Sequence, residues 1–389
     1  MKKYLFLLPL AALAMAACSS EEMVETGAQA SDNNALQIRT AMGDVTRGTV
    51  WNDGNFAKFH LSTSGTFIVA ESDEAAKQST DGGTVIDADV TKTSGKWVIG
   101  NLTGDDNYYW KSKKDVSTFS AYAPVDVKPN VDYTADYTDL SKLQDIVVAF
   151  NSGTGSDFSS GVPLYFRHIT SQIIIKADNT ATDKVEINVK GIRLNHIKSV
   201  GKYATPTAST VEAMPSYTVW SNVTNEQNYV VTSESSRKLT GAAAEISGSN
   251  PILLIPQPLN QMQTTQNGTE YTTTGQFISV LVNIKNIQDG AAADKVAVYP
   301  KAATYDATKY AWAAVDINGS WEPGKKYIYT LHFTDGGYGK VDADQDDGGT
   351  DNPGGGEAEP GDDVEDSPVK LTLDVKVVDW EEVTEAQNM

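Results

Sequence analysis

The sequence predicts an all-β protein built from β-sandwiches. From Ala35 onward, most of the chain consists of short segments that alternate in hydropathy or are rich in Val, Ile, Tyr and Phe, separated by Gly, Asn, Asp and Thr. Such segments, with turn residues between them, are typical of sandwich strands. Helical periodicity is scarce, with DEAAK at residues 73–77 as one candidate turn. A length of 389 residues favours two domains.

The N-terminus has the pattern of a secretory signal. Lys2 and Lys3 precede a short apolar run over residues 4–14, and small residues follow. Cys18 is the only cysteine of the chain, and Met15-Ala16-Ala17-Cys18 resembles a bacterial lipobox. We therefore expect a signal peptide over residues 1–18 and a lipid on Cys18. The alternative is a plain signal peptide with an incidental cysteine. The following SSEE resembles the surface-export signal of Bacteroidetes lipoproteins, which implies the outer face of the outer membrane.

The negative charge of the chain is concentrated near the C-terminus. The net charge is −20, and residues 335–368 hold 12 acidic residues against one lysine. This segment is also rich in Gly and Pro, so it predicts an acidic flexible linker that cannot bury enough apolar area to fold. No basic stripe is present, which argues against a nucleic-acid partner.

Two segments near the chain ends have the alternation of half-buried strands. In VKLTLDVKVVDW, the apolar residues alternate with polar ones and share one face: Val369, Leu371, Leu373, Val375 and Val377. In ALQIRTAM, the alternating residues are Leu36, Ile38, Thr40 and Met42. A well-patterned strand at the end of an acidic linker requires a groove to receive it.

No motif predicts catalysis, a cofactor or a metal site. The segment DADQDDGG has the carboxylate spacing of an EF-hand loop from Asp342, but Asp347 and Pro353 stand where that loop needs Gly and Glu. None of the four histidines has a metal-binding neighbour, and we interpret His168 and His332 as ordinary strand residues. The YYW cluster at residues 108–110 is a candidate carbohydrate platform, although core packing is the more common role of such aromatics.

Several stretches, in this order along the chain, resemble the fimbrillin family, the subunits of Bacteroidetes type V pili: residues 107–124, 162–177, 252–259, 321–333 and 369–383. The resemblance implies two tandem transthyretin-like β-sandwich domains. We place the N-terminal sandwich at residues 48–200. The C-terminal sandwich comprises residues 201–334 plus 369–389. Residues 19–47 are then the tether and a removable N-terminal strand, and the acidic linker lies between.

The resemblance also implies a structural role without enzymatic activity. Family precursors are outer-membrane lipoproteins, from which an Arg-specific protease removes the first strand, and a strand of another subunit fills the opened groove. Here the processing site matches Arg47, the removable strand contains Leu36, Ile38 and Met42, and the donor strand is the C-terminal one. The expected partners are other pilus subunits, the maturation protease, the lipid anchor of the precursor and a host or bacterial surface ligand. The alternative for Arg47 is a plain loop charge.

Two other functions stay open at this level. The first is a monomeric surface lipoprotein that binds glycans or host ligands, which needs neither a removable strand nor a tethered one. The second is a hydrolase whose site has no recognisable motif.

Lipidation of Cys18 is directly testable. The Cys18→Ala variant should incorporate no radiolabelled palmitate and should leave the membrane fraction, because it has no other thiol to modify. Ser19→Ala is the matched control and should behave as the unaltered chain does. A Cys18→Ala protein that is retained in membranes at the unaltered level contradicts the lipid anchor.

Overall fold

The structure is a computed structural model that describes residues 35–42, 55–65, 67–69, 85–100, 102, 107–138, 142–205, 219–248, 252–288, 290, 296–335, 339–350, 360, 362–363 and 369–379. These residues form 25 strands and no α-helix. The predicted all-β class is confirmed. Within these ranges there is also no helix with the length and hydropathy that crossing a membrane would require.

The first ten strands are β1 (Ile38–Met42), β2 (Lys58–Thr63), β3 (Phe67–Ile68), β4 (Asp87–Thr93), β5 (Lys96–Ile99), β6 (Tyr109–Trp110), β7 (Val116–Ala123), β8 (Asp132–Thr134), β9 (Val147–Thr154) and β10 (Val162–His168). Seven of them form one sheet in the order β1-β10-β9-β7-β2-β4-β5, and β3 pairs with β6. The pairs are antiparallel except β1–β10, which is parallel.

This seven-stranded sheet curls until its two edge strands approach each other. The indole Nε1 of Trp97 on β5 donates a hydrogen bond of 3.0 Å to Oγ1 of Thr40 on β1. The core inside the curl is aromatic, and Phe56, Phe59 and Phe166 pack there with ring centroids 4.7 to 6.0 Å apart. The concave face of the sheet therefore closes over one hydrophobic core.

The remaining strands are β11 (Ser171–Asn179), β12 (Val185–Tyr203), β13 (Trp220–Lys238), β14 (Ala244–Glu245), β15 (Ile252–Leu254), β16 (Pro258–Leu259), β17 (Gln263–Asn267), β18 (Glu270–Thr274), β19 (Phe277–Asn286), β20 (Ala297–Tyr299), β21 (Ala311–Asp316), β22 (Gly319–Ser320), β23 (Lys325–Asp335), β24 (Lys340–Val341) and β25 (Val369–Asp379). One sheet has the order β14-β11-β23-β25 with β15 also on β11. A second has the order β13-β12-β19-β21-β24, with β20 on β19 and β8 on β12.

Inward-facing residues from both of these sheets form a second hydrophobic core. Tyr327, Tyr329, Leu331 and Phe333 alternate along β23 and are all buried. They pack with aliphatic residues of β11, β12 and β19 in one cluster. The period-2 alternation seen in the sequence is therefore the alternation between core and outer face in the structure.

The long strand β12 joins the two halves of the molecule. It pairs with β19 in its first half and with β8 near its end. At that end Tyr203 Oη donates to the Val127 carbonyl, and Trp220 Nε1 donates to the Ile169 carbonyl at 2.6 Å. These contacts border a third buried cluster that includes Tyr122, Val148 and Val219.

The division between the sheets differs from the boundary predicted after residue 200. Strand β11 and most of β12 lie before that boundary in sequence, but they pair with β23 and β19 of the second half. The change of sheet occurs between β10 and β11, close to Thr170. Residue 200 lies inside β12, which runs over 19 residues and so gives no turn signal at the predicted boundary. That the halves are separate transthyretin-like domains stays a prediction.

The start of the acidic segment is packed, which differs from the predicted linker. Strand β24 pairs with β21, and Asp342 directly after it is buried. Nη2 of Arg193 donates to a carboxylate oxygen of Asp342 at 2.9 Å. Its Nη1 lies 3.3 Å from the carboxylate of Asp344. The guanidinium, whose side chain is fully buried, also lies 4.7 Å from the ring centroid of Trp312.

Neighbouring hydrogen bonds hold the same segment in place. Gln345 accepts from the backbone N–H of Trp312 at 2.8 Å, and the Trp312 indole donates to the Asp346 carbonyl at 2.6 Å. Tyr299 donates to the Trp312 carbonyl, and burial, with the charge of Asp342, raises the pKa of Tyr299 above its ordinary value. We call residues 340–347, with Arg193 and Trp312, the acidic clasp. A buried cation explains how an acidic segment packs, since it neutralises carboxylates that would otherwise repel one another.

The carboxylates of the acidic clasp should contribute unequally to the free energy of unfolding. Asp342→Ala leaves the buried guanidinium of Arg193 without its closest and only buried carboxylate among the described residues, and we expect a loss of about 3–5 kcal/mol in the free energy of unfolding. Asp344→Ala is the matched control: this side chain is 46% exposed, so we expect a loss below about 1 kcal/mol. Urea unfolding followed by tryptophan fluorescence measures both. Equal losses would contradict a buried ion pair as the anchor.

Candidate functional site

Both terminal strands of the described chain lie at the outer edge of a sheet. β1 forms one edge of the seven-stranded sheet, and β25 forms one edge of the sheet that contains β11 and β23. A strand at a sheet edge is bonded on one side only, so it can leave without breaking the sheet behind it. The two predicted exchange strands therefore occupy the positions from which a strand is most easily removed.

β1 lies against β10 in parallel register, with Ile38 opposite Val162 and Thr40 opposite Leu164. Just before β1, the backbone N–H of Leu36 donates to the Tyr108 carbonyl at 2.7 Å. Leu36 is buried, and Ile38 is half-buried against the same aromatic core. Arg39 lies on the alternate positions of the strand. The side chain of Met42 lies outside the described residues, although its backbone pairs with Phe166.

Beneath β1 lies a preformed apolar surface. Val162, Leu164 and Phe166 of β10 are all buried, and they share the alternating face of that strand. Trp97 closes the opposite side, with its ring centroid 5.0 Å from that of Phe59 and 5.6 Å from that of Phe56. Removing residues 35–42 would leave a groove with an apolar floor and one row of unpaired backbone groups on β10. Such a groove fits an incoming β-strand.

β25 pairs with β23 along its whole length in antiparallel register. Leu373 is opposite Leu331, and Val375 is opposite Tyr329. Residues directly opposite each other in an antiparallel pair point to the same face. Leu373 therefore lies on the core side of β23, and it packs against that core. Val375 stays 49% exposed, because β25 is the last strand of this sheet among the described residues.

A histidine links β25 to the centre of its sheet. Nδ1 of His332 on β23 lies 2.8 Å from a carboxylate oxygen of Asp178 on β11. Its Nε2 lies 3.3 Å from the carboxylate of Asp374 on β25. Asp178 is buried, whereas Asp374 is exposed, so the contact with β25 is the weaker of the two. This interpretation goes beyond the ordinary strand residue that the sequence predicted.

The other predicted residues fall into two groups. Cys18 and Arg47 lie outside the described residues, so the lipid anchor and the processing site stay predictions. Tyr108 and Trp110 are buried in the aromatic core, which removes two of the three rings of the predicted carbohydrate platform from the surface. Burial also raises the pKa of Tyr108.

His168 is likewise part of the packing and not of a surface site. Its Nδ1 lies 2.9 Å from a carboxylate oxygen of Asp145, and both side chains are almost fully buried. Over the described ranges, no group of three or more His, Cys, Asp or Glu residues is arranged to hold a metal ion. In the segment that resembles an EF-hand loop, the guanidinium of Arg193 contacts the carboxylates.

Sequence reasoning missed Trp97, Thr40 and Arg193. The alternation of β1 includes Thr40, but it does not identify the hydrogen-bond partner of its hydroxyl group. Trp97 is separated from Thr40 by 57 residues, and Arg193 from Asp342 by 149 residues. A periodic Thr among aliphatic residues, in a strand that otherwise reads as apolar, is the one local signal that pointed to a polar contact on the inner face.

Comparison with known proteins identifies a relationship for most of the chain. A family model described as fimbrillin-like matches residues 53–347. No curated protein matches. The solved structures with similar folds include a fimbrilin from Porphyromonas gingivalis W83, at 9% identity and a TM-score of 0.42, covering 89% of this chain and 97% of that one.

Another solved structure comes from Bacteroides ovatus ATCC 8483 and is provisionally described as a cell adhesion protein. It is 15% identical to this chain, with a TM-score of 0.42, and the match covers 89% of this chain and 97% of that one. A third, from Parabacteroides distasonis ATCC 8503 with the same description, is 10% identical, with a TM-score of 0.42 and coverage of 91% and 100%. Because these TM-scores are low, the relationship rests on the family model.

The edge position of β25 predicts that it opens more readily than the strand at the centre of its sheet. Amide hydrogens of Val369–Asp379 should exchange faster than those of β11, because β11 is bonded on both sides. Hydrogen–deuterium exchange with peptide-level mass spectrometry measures both strands in one sample, so β11 serves as the internal control. Equal protection of the two strands would show that β25 is as firmly held as the sheet interior.

Proposed function

The chain belongs to the fimbrillin-like family, and from this premise we propose that it is a structural, non-enzymatic subunit of a cell-surface fimbrium with a role in adhesion. The precursor is exported as an outer-membrane lipoprotein through Cys18. An Arg-specific protease then cleaves after Arg47 and frees the segment that contains β1. Its partners are other subunits of the same fimbrium.

We further propose that subunits join by exchange of edge strands. The observation that carries this proposal is the pairing of β1 with β10 over an apolar surface. β1 is an edge strand, so its removal leaves the other pairs of the sheet intact. β25, with Leu373 on the core side of β23, is the donor that fills the groove of the next subunit. Since the donor surface and the groove lie at different places on one subunit, repeated exchange builds an open head-to-tail chain.

The energetics favour such an exchange only for a strand with a continuous apolar face. Full burial of five Val and Leu side chains contributes about 7–15 kcal/mol, at ~1.5–3 kcal/mol for each side chain. Association and the ordering of the donor offset a considerable part of this gain. In the precursor, β1 covers its groove and β25 pairs with β23, so the groove is closed and the donor strand is already paired. Cleavage is therefore the step that starts assembly.

The two faces of β25 provide a matched test. After cleavage at Arg47, Leu373→Asp should reduce the yield of polymers much more than Lys376→Asp does, because only residue 373 enters an apolar pocket of the next subunit. Polymer length is measured by negative-stain microscopy and gel electrophoresis of cleaved protein. Circular dichroism of each uncleaved variant controls for folding.

Two results would contradict strand exchange. The first is a cleaved, unaltered chain that stays monomeric, which favours the monomeric glycan-binding lipoprotein instead. The second is equal polymerisation of Leu373→Asp and Lys376→Asp, which shows that the apolar face of β25 is not the joining surface. Deletion of residues 369–389 should abolish polymers while the β1–β10 half stays folded.

A further inference from the structure

The groove under β1 contains one polar position among apolar ones. Leu36 and Ile38 enter the aromatic core, whereas the next inward residue, Thr40, accepts a hydrogen bond from Trp97 Nε1 at 3.0 Å. The three inward positions of β1 thus present an aliphatic, an aliphatic and a hydroxyl side chain to the groove. Any strand that replaces β1 meets the same three positions.

Trp97 is not free to turn its indole N–H elsewhere. Its ring packs edge-on against Phe56 and Phe59, and Lys92 Nζ lies 5.6 Å from its ring centroid. The side chain is half-buried, so an occupant without an acceptor would leave a partly desolvated donor unpaired. An unpaired donor of this kind costs more than the hydrogen bond itself contributes when it is made.

The C-terminal strand of this chain does not supply that acceptor. Its apolar face consists of Val and Leu at residues 369, 371, 373, 375 and 377. Its one hydroxyl residue, Thr372, is on the alternate positions together with Lys370 and Asp374. Sliding β25 by one residue to bring Thr372 inward would also turn the charged residues into the groove and every apolar residue out of it.

We infer that the groove under β1 selects a strand with Thr or Ser two positions beyond an aliphatic inward residue. The preferred occupant is therefore the terminal strand of a different subunit, and β25 of a second copy of this chain should bind the groove about 5- to 10-fold more weakly. Trp97 is the residue that determines this specificity. The inference rests on the proposed function, because it concerns the groove that cleavage opens.

The first experiment measures binding of labelled peptides by fluorescence anisotropy. The full-length chain is cleaved at Arg47 and the protease is inhibited before the peptides are added. The peptides are residues 35–44, the same peptide with Thr40→Val, the same with Thr40→Ser, and residues 368–380. We expect Thr40→Val to bind about 5- to 10-fold more weakly, the effect of one hydrogen bond lost at a half-buried donor, and Thr40→Ser to bind like the unaltered peptide.

The second experiment repeats these measurements on the chain with Trp97→Phe, which keeps an aromatic ring and removes the N–H donor. On this variant the Thr40→Val and unaltered peptides should bind equally. For the peptide of residues 368–380, Val375→Thr or Val377→Thr should improve binding to the Trp97 chain and not to the Trp97→Phe chain. The Val-to-Thr change keeps the shape of the side chain, so it isolates the effect of the hydroxyl group.

The outcomes separate the inference from the proposed function. If all peptides bind the Trp97 chain equally, or if residues 368–380 bind as tightly as residues 35–44, the inference is wrong and strand exchange between identical copies stands. If no peptide binds the cleaved chain, the groove does not accept a strand, and both the proposed function and the inference are wrong. If the Trp97→Phe chain still binds the Thr40→Val peptide more weakly than the unaltered peptide, another residue determines the specificity, and the inference is wrong.

Discussion

The constraint on which this architecture depends is that the backbone groups at a sheet edge need partners. In each half of the molecule, a terminal strand pairs with the backbone groups of one neighbouring strand: β1 pairs with β10, and β25 pairs with β23. β13 forms an edge of the remaining large sheet, and its side chains are mostly exposed and polar. Polar side chains on an edge disfavour pairing with another chain. Of these three edge strands, β13 carries mostly polar side chains, whereas β1 and β25 are the first and last described strands of the chain.

The fold class and both terminal strands were predictable because they depend on local patterns. Alternation of apolar and polar residues in β25 matches its register on β23, where Leu373 lies opposite Leu331 on the core face. The parallel pairing of β1 with β10, by contrast, joins residues more than a hundred positions apart and has no local signal. The change of sheet between β10 and β11 likewise has no local signal, because the pairing of β11 with β23 joins residues more than a hundred positions apart.

The acidic segment shows where composition misleads. A segment rich in Asp and Gly predicts an unpacked chain, yet Asp342 in this segment is buried against Arg193 and Ser279. A single cation 149 residues away from Asp342 contacts three carboxylates of the segment, those of Asp342, Asp344 and Asp347. The same limit applies to the groove under β1, where the identity of Thr40 matters only because Trp97 lies above it. Side-chain partners from distant strands thus decide the specific features of a site whose general character is set by local pattern.

The acidic clasp also has a kinetic consequence for β25. Asp363 is held beside β24, where Lys340 Nζ contacts its carboxylate at 2.6 Å and Val341 N–H donates to the carbonyl of Asp362. The six chain steps from Asp363 to Val369 span at most about 20 Å. A detached β25 therefore stays near its own edge of the sheet at an effective concentration on the order of millimolar. A foreign strand must compete with that local excess, so brief openings of this edge are closed from within the molecule before another chain can pair with β23.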